Sequence, residues 1–258
     1  PYFNLDSHER KYVYFKDNTL LDSCFYNHGH SGVHEMKEDY TRLIISDIHM
    51  GSLHSKESKL QKLLNTVDFD EIVLAGDIID FIRVPTFTKH TAELFQTISN
   101  LNRDNKRIIY IVGNHDIAFN KFVGETVAGI EFMEEYEFDY VGRHYRVEHG
   151  DKYEKGIVHW KFTMNIVSIF HDLLERVFKW NLAAWYVRQQ QKKRKLRRVW
   201  DIMKLNKGAD VFIMGHTHIP EVVIWVDEME KIKTYANIGD WVEHSTYILI
   251  KDGQLRLK

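Results

Sequence analysis

From Thr41 onward the chain alternates between short runs of branched apolar residues and longer amphipathic stretches. RLIISDIH (42–49) reads as a short buried strand, and SKESKLQKLLNTV (55–67) has apolar positions at helical spacing, with Ser55 as the N-cap. EIVLAGD (71–77) predicts the next strand, TKHTAELFQTISNL (88–101) the next helix, and RIIYIVGNHD (107–116) a third strand. Strand, helix, strand, helix, strand implies parallel pairing through right-handed crossovers. A long helical stretch follows at roughly 155–205, then strands near 210–214, 221–227, 231–237 and 245–250, with Asp227-Glu228 signalling antiparallel hairpins among them. Ahead of all this, residues 1–40 read as an irregular leader with one hairpin, KYVYFKDNTLLDSCFYN, turning at Asp17-Asn18. No repeat or low-complexity linker interrupts the pattern. It predicts one α/β domain over 1–258 that carries the leader and a helical insertion at about 155–205.

The apolar runs of the core end in similar chemistry. The first delivers Asp47 and His49, the second Asp77 and Asp80, and the third Asn114, His115 and Asp116. Later runs deliver His149 in EHGD and the pair His216 and His218 in VFIMGHTHIP. On an extended chain alternate residues face the same side, so the two histidines of that pair would point together. Gly215 would mark a loop that needs free backbone angles. Ligands of open α/β sheets bind at the carboxyl ends of strands, so these residues are expected to converge. The 30 residues from Asp47 to Asp77 are the length of one strand–helix–strand unit. Seven His, Asp and Asn groups without cysteine exceed what one four-coordinate ion needs and suit two ions that share a carboxylate; manganese fits foremost, with iron or zinc as alternatives.

The series DIH…GDIID…GNHD…HG…GHTH, in order over 47–218, resembles the calcineurin-like metallophosphoesterase superfamily. The resemblance implies a layered α/β/β/α sandwich of mixed sheets and a dinuclear site. It places Asp47, His49, Asp77 and His218 on one ion, and Asp77, Asn114, His149 and His216 on the other. Two such ions neutralise phosphate oxygens and bring a water's pKa near neutrality, so that it can attack phosphorus. His115, next to a ligand rather than one itself, is the candidate for protonating the leaving oxygen. The resemblance also gives Asp80 the role of orienting its neighbours.

Three features bear on the substrate. Ser/Thr protein phosphatases carry Arg directly after the second Asp of GDxxD, where this chain has Phe81. NIGDW (237–241) is similar to a motif of the UDP-2,3-diacylglucosamine diphosphatase branch, which acts in lipid A biosynthesis and releases UMP and a lipid monophosphate. The best-studied members of that branch carry Arg where this chain has His115. The third feature is the insertion, which lies where that branch carries a helical lid.

Charge singles out the same segment. Lys152 to Lys204 holds 13 basic and four acidic residues, a net +9, so the remainder carries −11 of the total −2. Its apolar stripe, from Ile166 to Phe178, fits either a helix packed on the body or a lid over acyl chains. Seven Lys or Arg lie between Arg188 and Arg198, flanked by Trp185 and Trp200. Such a run suits a solvated face, an anionic membrane surface or a phosphate backbone with base stacking. Trp185, Arg188 and Lys192 are the candidate substrate contacts. Two function classes therefore stand: a peripheral enzyme cleaving a nucleotide–lipid pyrophosphate, and a phosphodiesterase or nuclease acting on nucleic acid. The single Cys24 excludes a disulfide framework within the chain, and no apolar run approaches the ~20 residues of a membrane span, so a cytoplasmic enzyme, peripheral at the inner membrane face, is expected. His28, His30 and His34 in the leader read as a solvated loop.

Overall fold

A computed structural model describes residues 2–3, 12–15, 40–80, 88–153 and 195–258. Among these, the strands are β1 (Tyr2–Phe3), β2 (Tyr12–Phe15), β3 (Arg42–Ile45), β4 (Glu71–Ala75), β5 (Arg107–Ile111), β6 (Thr126–Val127) and β7 (Ile130–Met133). They continue as β8 (Glu135–Tyr140), β9 (Arg143–Glu148), β10 (Val211–Met214), β11 (Glu221–Val226), β12 (Ile232–Asn237), β13 (Ile248–Lys251) and β14 (Gln254–Leu257). The helices are α1 (Glu57–Thr66), α2 (Lys89–Leu101) and α3 (Lys195–Leu205).

Two mixed sheets result, ordered β14-β13-β3-β4-β5-β7-β6 and β1-β2-β11-β12-β10-β9-β8. In the first, β3, β4, β5 and β7 run parallel, in the register Leu43↔Ile72 and Ile72↔Ile108. In the second, β9, β10 and β12 run parallel, while β11 pairs antiparallel with β12 around the expected turn at Asp227. The inner faces meet through Ile44, Val73 and Ile109 on one side and Tyr145, Val211 and Ile213 on the other. Outside the first sheet, Leu60 and Leu64 of α1 and Leu94 and Ile98 of α2 cover Leu43, Ile72 and Ile108. Outside the second, Val199, Ile202 and Met203 of α3 cover Phe212, Met214 and Trp225. The layers are thus helix, sheet, sheet, helix, as the family resemblance implied. Side chains alternate across each sheet, so every strand between two layers must be apolar on both faces, which explains its Ile- and Val-rich runs.

Two expectations fail locally. Ser55 does not cap α1: the cap position is Lys56, and the Ser55 hydroxyl donates to Ile48 O at 2.8 Å. The Lys56 N–H is engaged by Trp241 O (2.8 Å), which fixes the helix start one residue later. Thr88, by contrast, closes a capping box with Thr91 at the start of α2. The apolar pattern also left β6, β7, β8 and β14 unmarked. In β8, Glu135, Glu137 and Asp139 alternate with buried Tyr136, Phe138 and Tyr140, a period-two signal readable from the sequence. The turn at Asp17-Asn18, Cys24, the leader histidines and residues 155–194 of the insertion lie outside the described residues. Strand β2 pairs with β1 and β11.

At the N-terminal ends of β3, β4 and β5 lies a buried charged cluster. Glu71, fully buried, takes Arg42 Nε on one oxygen (2.9 Å) and Arg107 Nη1 (3.1 Å), Tyr136 OH (3.0 Å) and Tyr40 OH (3.2 Å) on the other. Arg107 forks onto both oxygens of Glu131 at 2.7 Å. The Arg42 guanidinium lies 4.1 Å over the Phe138 ring.

Candidate metal centre

The opposite ends of the parallel strands carry the chemistry. β3, β4 and β5 release the loops bearing Asp47 and His49, Asp77 and Asp80, and Asn114 and His115. β9, β10 and β12 of the facing sheet release His149, then His216 and His218, then the 237–241 motif. Three overlapping groups offer ligand atoms that all lie within 4.8 Å of one another: Asp47, His49 and His218; Asp77, His149 and His216; and His49, Asp77 and His115.

Individual contacts are close. His218 Nε2 lies 3.1 Å from Asp47 Oδ1, and 3.4 Å from His49 Nε2. His149 Nε2 lies 3.2 Å from Asp77 Oδ2 and 3.2 Å from Asn114 Oδ1. Asp77 Oδ2 is also 4.0 Å from His49 Nε2, so this one carboxylate stands between the two sets of imidazoles. His115 sits at the side. Its Nδ1 is 3.0 Å from Asp80 Oδ1, its Nε2 is 3.9 Å from Asp77 Oδ2, and its N–H donates to Asp77 Oδ1 (2.8 Å). Asp80 reaches His49 as well, Oδ2 to Nδ1 at 3.8 Å. All seven expected ligand side chains and both expected auxiliary residues therefore come together. Trp185, Arg188 and Lys192 lie outside the described residues, as does Phe81.

How the loops achieve this differs from the expectation of an extended pair. Asp47, His49, Asp77, His216 and His218 all have left-handed backbone angles, with φ between 51° and 63°. Each such non-glycine residue costs about 1–2 kcal/mol. Neighbouring strand ends hold the turns: Asp47 N–H donates to Gly76 O (3.0 Å), His49 N–H to Asp77 O (2.9 Å) and Gly215 N–H to His149 O (3.0 Å). His216 and His218 are thus each turned separately, and they go to different groups. Gly215 is not needed for its backbone angles, which lie outside the left-handed region. A Cβ there would come within 2.0 Å of Ser46 Oγ and 2.4 Å of Asp47 Oδ2. Gly113 likewise leaves room for the Asp77 carboxylate, and Gly76 for the His149 ring.

Electrostatically the cluster is a seat for positive charge. Burial pushes the Asp77 carboxyl up, but His149, His115 and His49 outweigh it and hold it well below the usual range. Asp47 is lowered in the same way, chiefly by His218 against burial. Reciprocally, burial opposes a charge on His149 and His218, yet Asp77 and Asp47 raise them to about 10 and about 9. His49 is instead lowered, burial being the main cause. Asp47 Oδ1 is buried without a hydrogen bond, although two imidazole nitrogens face it at 3.1 and 4.0 Å. A buried carboxylate oxygen that faces only imidazole nitrogens, which in turn face one another, fits a cation better than a hydrogen-bond network.

Sequence reasoning gave no role to several supports. Asp116, fully buried, accepts Ile78 N–H (3.0 Å) and Ile79 N–H (2.9 Å) and so fastens the Asp77 loop; burial and then Asp77 raise its carboxyl to about 6. Ser46 Oγ lies 2.5 Å from Asp47 Oδ2. The NIGDW motif lies against the centre: Trp241 N–H donates to Asp47 O (3.0 Å), and Asn237 Nδ2 to Gly215 O (2.8 Å) and Thr217 Oγ1 (2.9 Å). The quoted motifs GNHD and NIGDW held the signal for Asp116 and Asn237; nothing in the sequence marks Ser46.

Comparison with known proteins then decides the family. The profile described as calcineurin-like phosphoesterase matches residues 40–220, most of the chain and all five motifs. The chain belongs to the calcineurin-like phosphoesterase family. Metallophosphoesterases of this family bind divalent metals, and the His and Asp groups above are where this chain would hold them. No curated protein matches it in sequence. Solved structures similar to it include vacuolar protein sorting 29 from Cryptosporidium parvum, 14% identical, covering 86% of this chain and 97% of that one with a TM-score of 0.45. A predicted phosphoesterase from Streptococcus pneumoniae is 15% identical over 86% of this chain and 89% of its own, with a TM-score of 0.37. An archaeal phosphodiesterase is 14% identical over 84% and 98%, with a TM-score of 0.41. No helix among the described residues is long and apolar enough to cross a membrane.

Proposed function

We propose that this family member is a dinuclear-metal phosphoester hydrolase. The observation that carries the reading is the pair of His/Asp groups on either side of Asp77, with ligand atoms within 4.8 Å. Asp47, His49, Asp77 and His218 would hold one ion, and Asp77, Asn114, His149 and His216 the other. The donor set suits manganese foremost, and iron or zinc as well. Bound there, two divalent ions supply Lewis acidity toward a phosphoryl group and a nucleophile at neutral pH.

The remaining steps belong to the protein. Asp80 holds His115 by Nδ1 at 3.0 Å, which leaves Nε2 toward the centre, 3.9 Å from Asp77 Oδ2. From there His115 can place a proton on the departing oxygen. Strained loops tied to both sheets keep the ligands in position before any substrate arrives.

For the substrate, we propose the pyrophosphate of UDP-2,3-diacylglucosamine or a similar nucleotide–lipid, cleaved to UMP and a lipid monophosphate at an anionic membrane surface. NIGDW and the basic insertion support this reading, and the position of NIGDW against Asp47 gives the motif a place at the centre. The same basic run, with its flanking tryptophans, favours a second reading, hydrolysis of nucleic acid or another phosphodiester. Turnover of UDP-2,3-diacylglucosamine and of a generic phosphodiester, compared with and without detergent, tests both. Preference for the nucleotide–lipid with detergent dependence supports the first; cleavage of DNA or RNA with no vesicle binding supports the second.

A further inference from the structure

An imidazole that ligates through Nε2 needs something to hold its other nitrogen, and three of the expected ligand histidines, His149, His49 and His218, present Nε2 to the centre and differ in what holds Nδ1. His149 Nδ1 lies 3.0 Å from Ala75 O. His49 Nδ1 faces Asp80 Oδ2 at 3.8 Å. His218 Nδ1 faces Asp240 Oδ2 at 3.9 Å. Asp240 is fully buried, and its two oxygens have separate duties. Oδ1 accepts backbone N–H groups from Val242 (2.7 Å), Glu243 and His244 (3.2 Å), which shapes the loop after β12. Oδ2 serves no backbone group in this way. It lies between two imidazoles, His244 Nδ1 at 2.6 Å and His218 Nδ1.

The arrangement repeats that of Asp80, whose two oxygens face His115 Nδ1 and His49 Nδ1. Each buried carboxylate thus stands behind one imidazole of the Asp47 group and one half-exposed imidazole beside it. The distances to His49 and His218 exceed a direct N–H···O hydrogen bond, so the carboxylates act on these rings through charge. A carboxylate facing Nδ1 favours the tautomer with its proton there and leaves the Nε2 lone pair toward the centre. We propose that Asp240 is a positioning residue for His218, the counterpart of Asp80 behind His49, and that His244 holds Asp240 Oδ2 in place. This rests on the reading of the centre as a metal site.

The test is Asp240→Asn, which keeps an acceptor for the backbone N–H groups but sets an amide or a neutral oxygen against His218 Nδ1. Metal-free wild type and variant are titrated with Mn²⁺ in competition with a chromophoric chelator, and their metal-free melting temperatures are compared. The expected result is one of the two equivalents weakened ~10–100-fold, with metal-free melting little changed. His244→Asn, whose amide nitrogen falls near the Nδ1 position and retains a donor toward Asp240, should bind Mn²⁺ nearly as wild type does. Unchanged affinity for both equivalents in Asp240→Asn, or a loss of metal-free stability alone, overturns the proposal and leaves the metal reading intact. A wild type that takes up no divalent ion overturns both. Should the variant fail to fold, the ¹⁵N resonances of zinc-loaded wild type decide: His218 protonated at Nδ1 is expected, and His218 protonated at Nε2 refutes the proposal.

Discussion

The first sheet ends in two buried charged clusters, and they are built on opposite plans. At the N-terminal ends of the strands, Glu71 is saturated by Arg42, Arg107 and two tyrosines, and Arg107 is forked onto Glu131. Positive charge there is permanent, because guanidinium does not titrate in this range. At the C-terminal ends, Asp47 and Asp77 face imidazoles and backbone N–H groups, with no lysine or arginine partner among the described residues. Their counter-charge must come from protons on histidine or from an ion. The first cluster balances its charge with groups that stay; the second balances it only with protons or an ion, which can leave. Burial alone therefore does not distinguish a site from a structural network. What distinguishes them is whether the charge balance closes with groups that can leave.

Exchanging the residues sharpens the contrast most. Glu71→Ala leaves Arg42 buried without its carboxylate and should cost about 3–5 kcal/mol in stability, with metal stoichiometry unchanged in whatever protein remains folded. Asp77→Ala should abolish hydrolysis and lower metal content, and because it also removes the partner that raises His149, its metal-free melting should fall as well, most clearly below the raised value of His149. Chemical denaturation beside metal analysis of the two variants measures both, and a Glu71 variant that loses its metal while still folded would erase the distinction.

His115→Ala divides the second cluster internally. It should keep its metal yet lose ~10²–10⁴ in turnover, the range of general acid–base help. The loss should shrink with a nitrophenyl leaving group, which needs less protonation. Equal losses on good and poor leaving groups would assign His115 a structural role.

Both ends should lose stability in acid, where lowered carboxylates are protonated, but they should differ as pH rises. His149 and His218, raised to about 10 and about 9, contribute to metal-free stability that is full below ~6.5 and is lost as pH rises through those values. Glu131 is lowered, first by its Arg107 hydrogen bonds, so its contribution is full above ~4.5 and lost in acid. Metal-free melting should fall between pH 7 and 9, whereas metal affinity should rise over the same window as the ion displaces protons from the two imidazoles. Melting curves with chelator and with Mn²⁺ show whether the two trends diverge.

The smallest effect expected lies in the insertion. Replacing Lys192, Lys193, Arg194 and Lys195 with Gln should raise KM for a diacylated substrate and weaken binding to anionic vesicles. Hydrolysis of a small soluble phosphodiester should stay nearly unchanged, because the strand-end residues are untouched.

The amino-acid pattern revealed the parts of this molecule that repeat locally. Apolar runs gave β3, β4, β5 and β10, and the polar residues after these and after β9 gave the seven candidate ligands, because a strand end is a local event in sequence. It did not reveal the left-handed turns at Asp47, His49, Asp77, His216 and His218, since side chains that rarely adopt such angles are held there by hydrogen bonds from distant strands. For the same reason Gly215 read as a flexible joint. Its lack of a side chain matters because Ser46 and Asp47, far earlier in the chain, occupy the space. Asp116 and Asp240 lay inside quoted motifs, but what each one holds is contributed by other segments.

The central claim is that Asp77 is shared by two ions. Metal-free protein reconstituted with Mn²⁺ and examined by electron paramagnetic resonance tests it most directly. The account predicts two equivalents per chain in an exchange-coupled pair, and loss of the coupled signal in Asp77→Ala together with activity. Two equivalents and full activity in Asp77→Ala would contradict it.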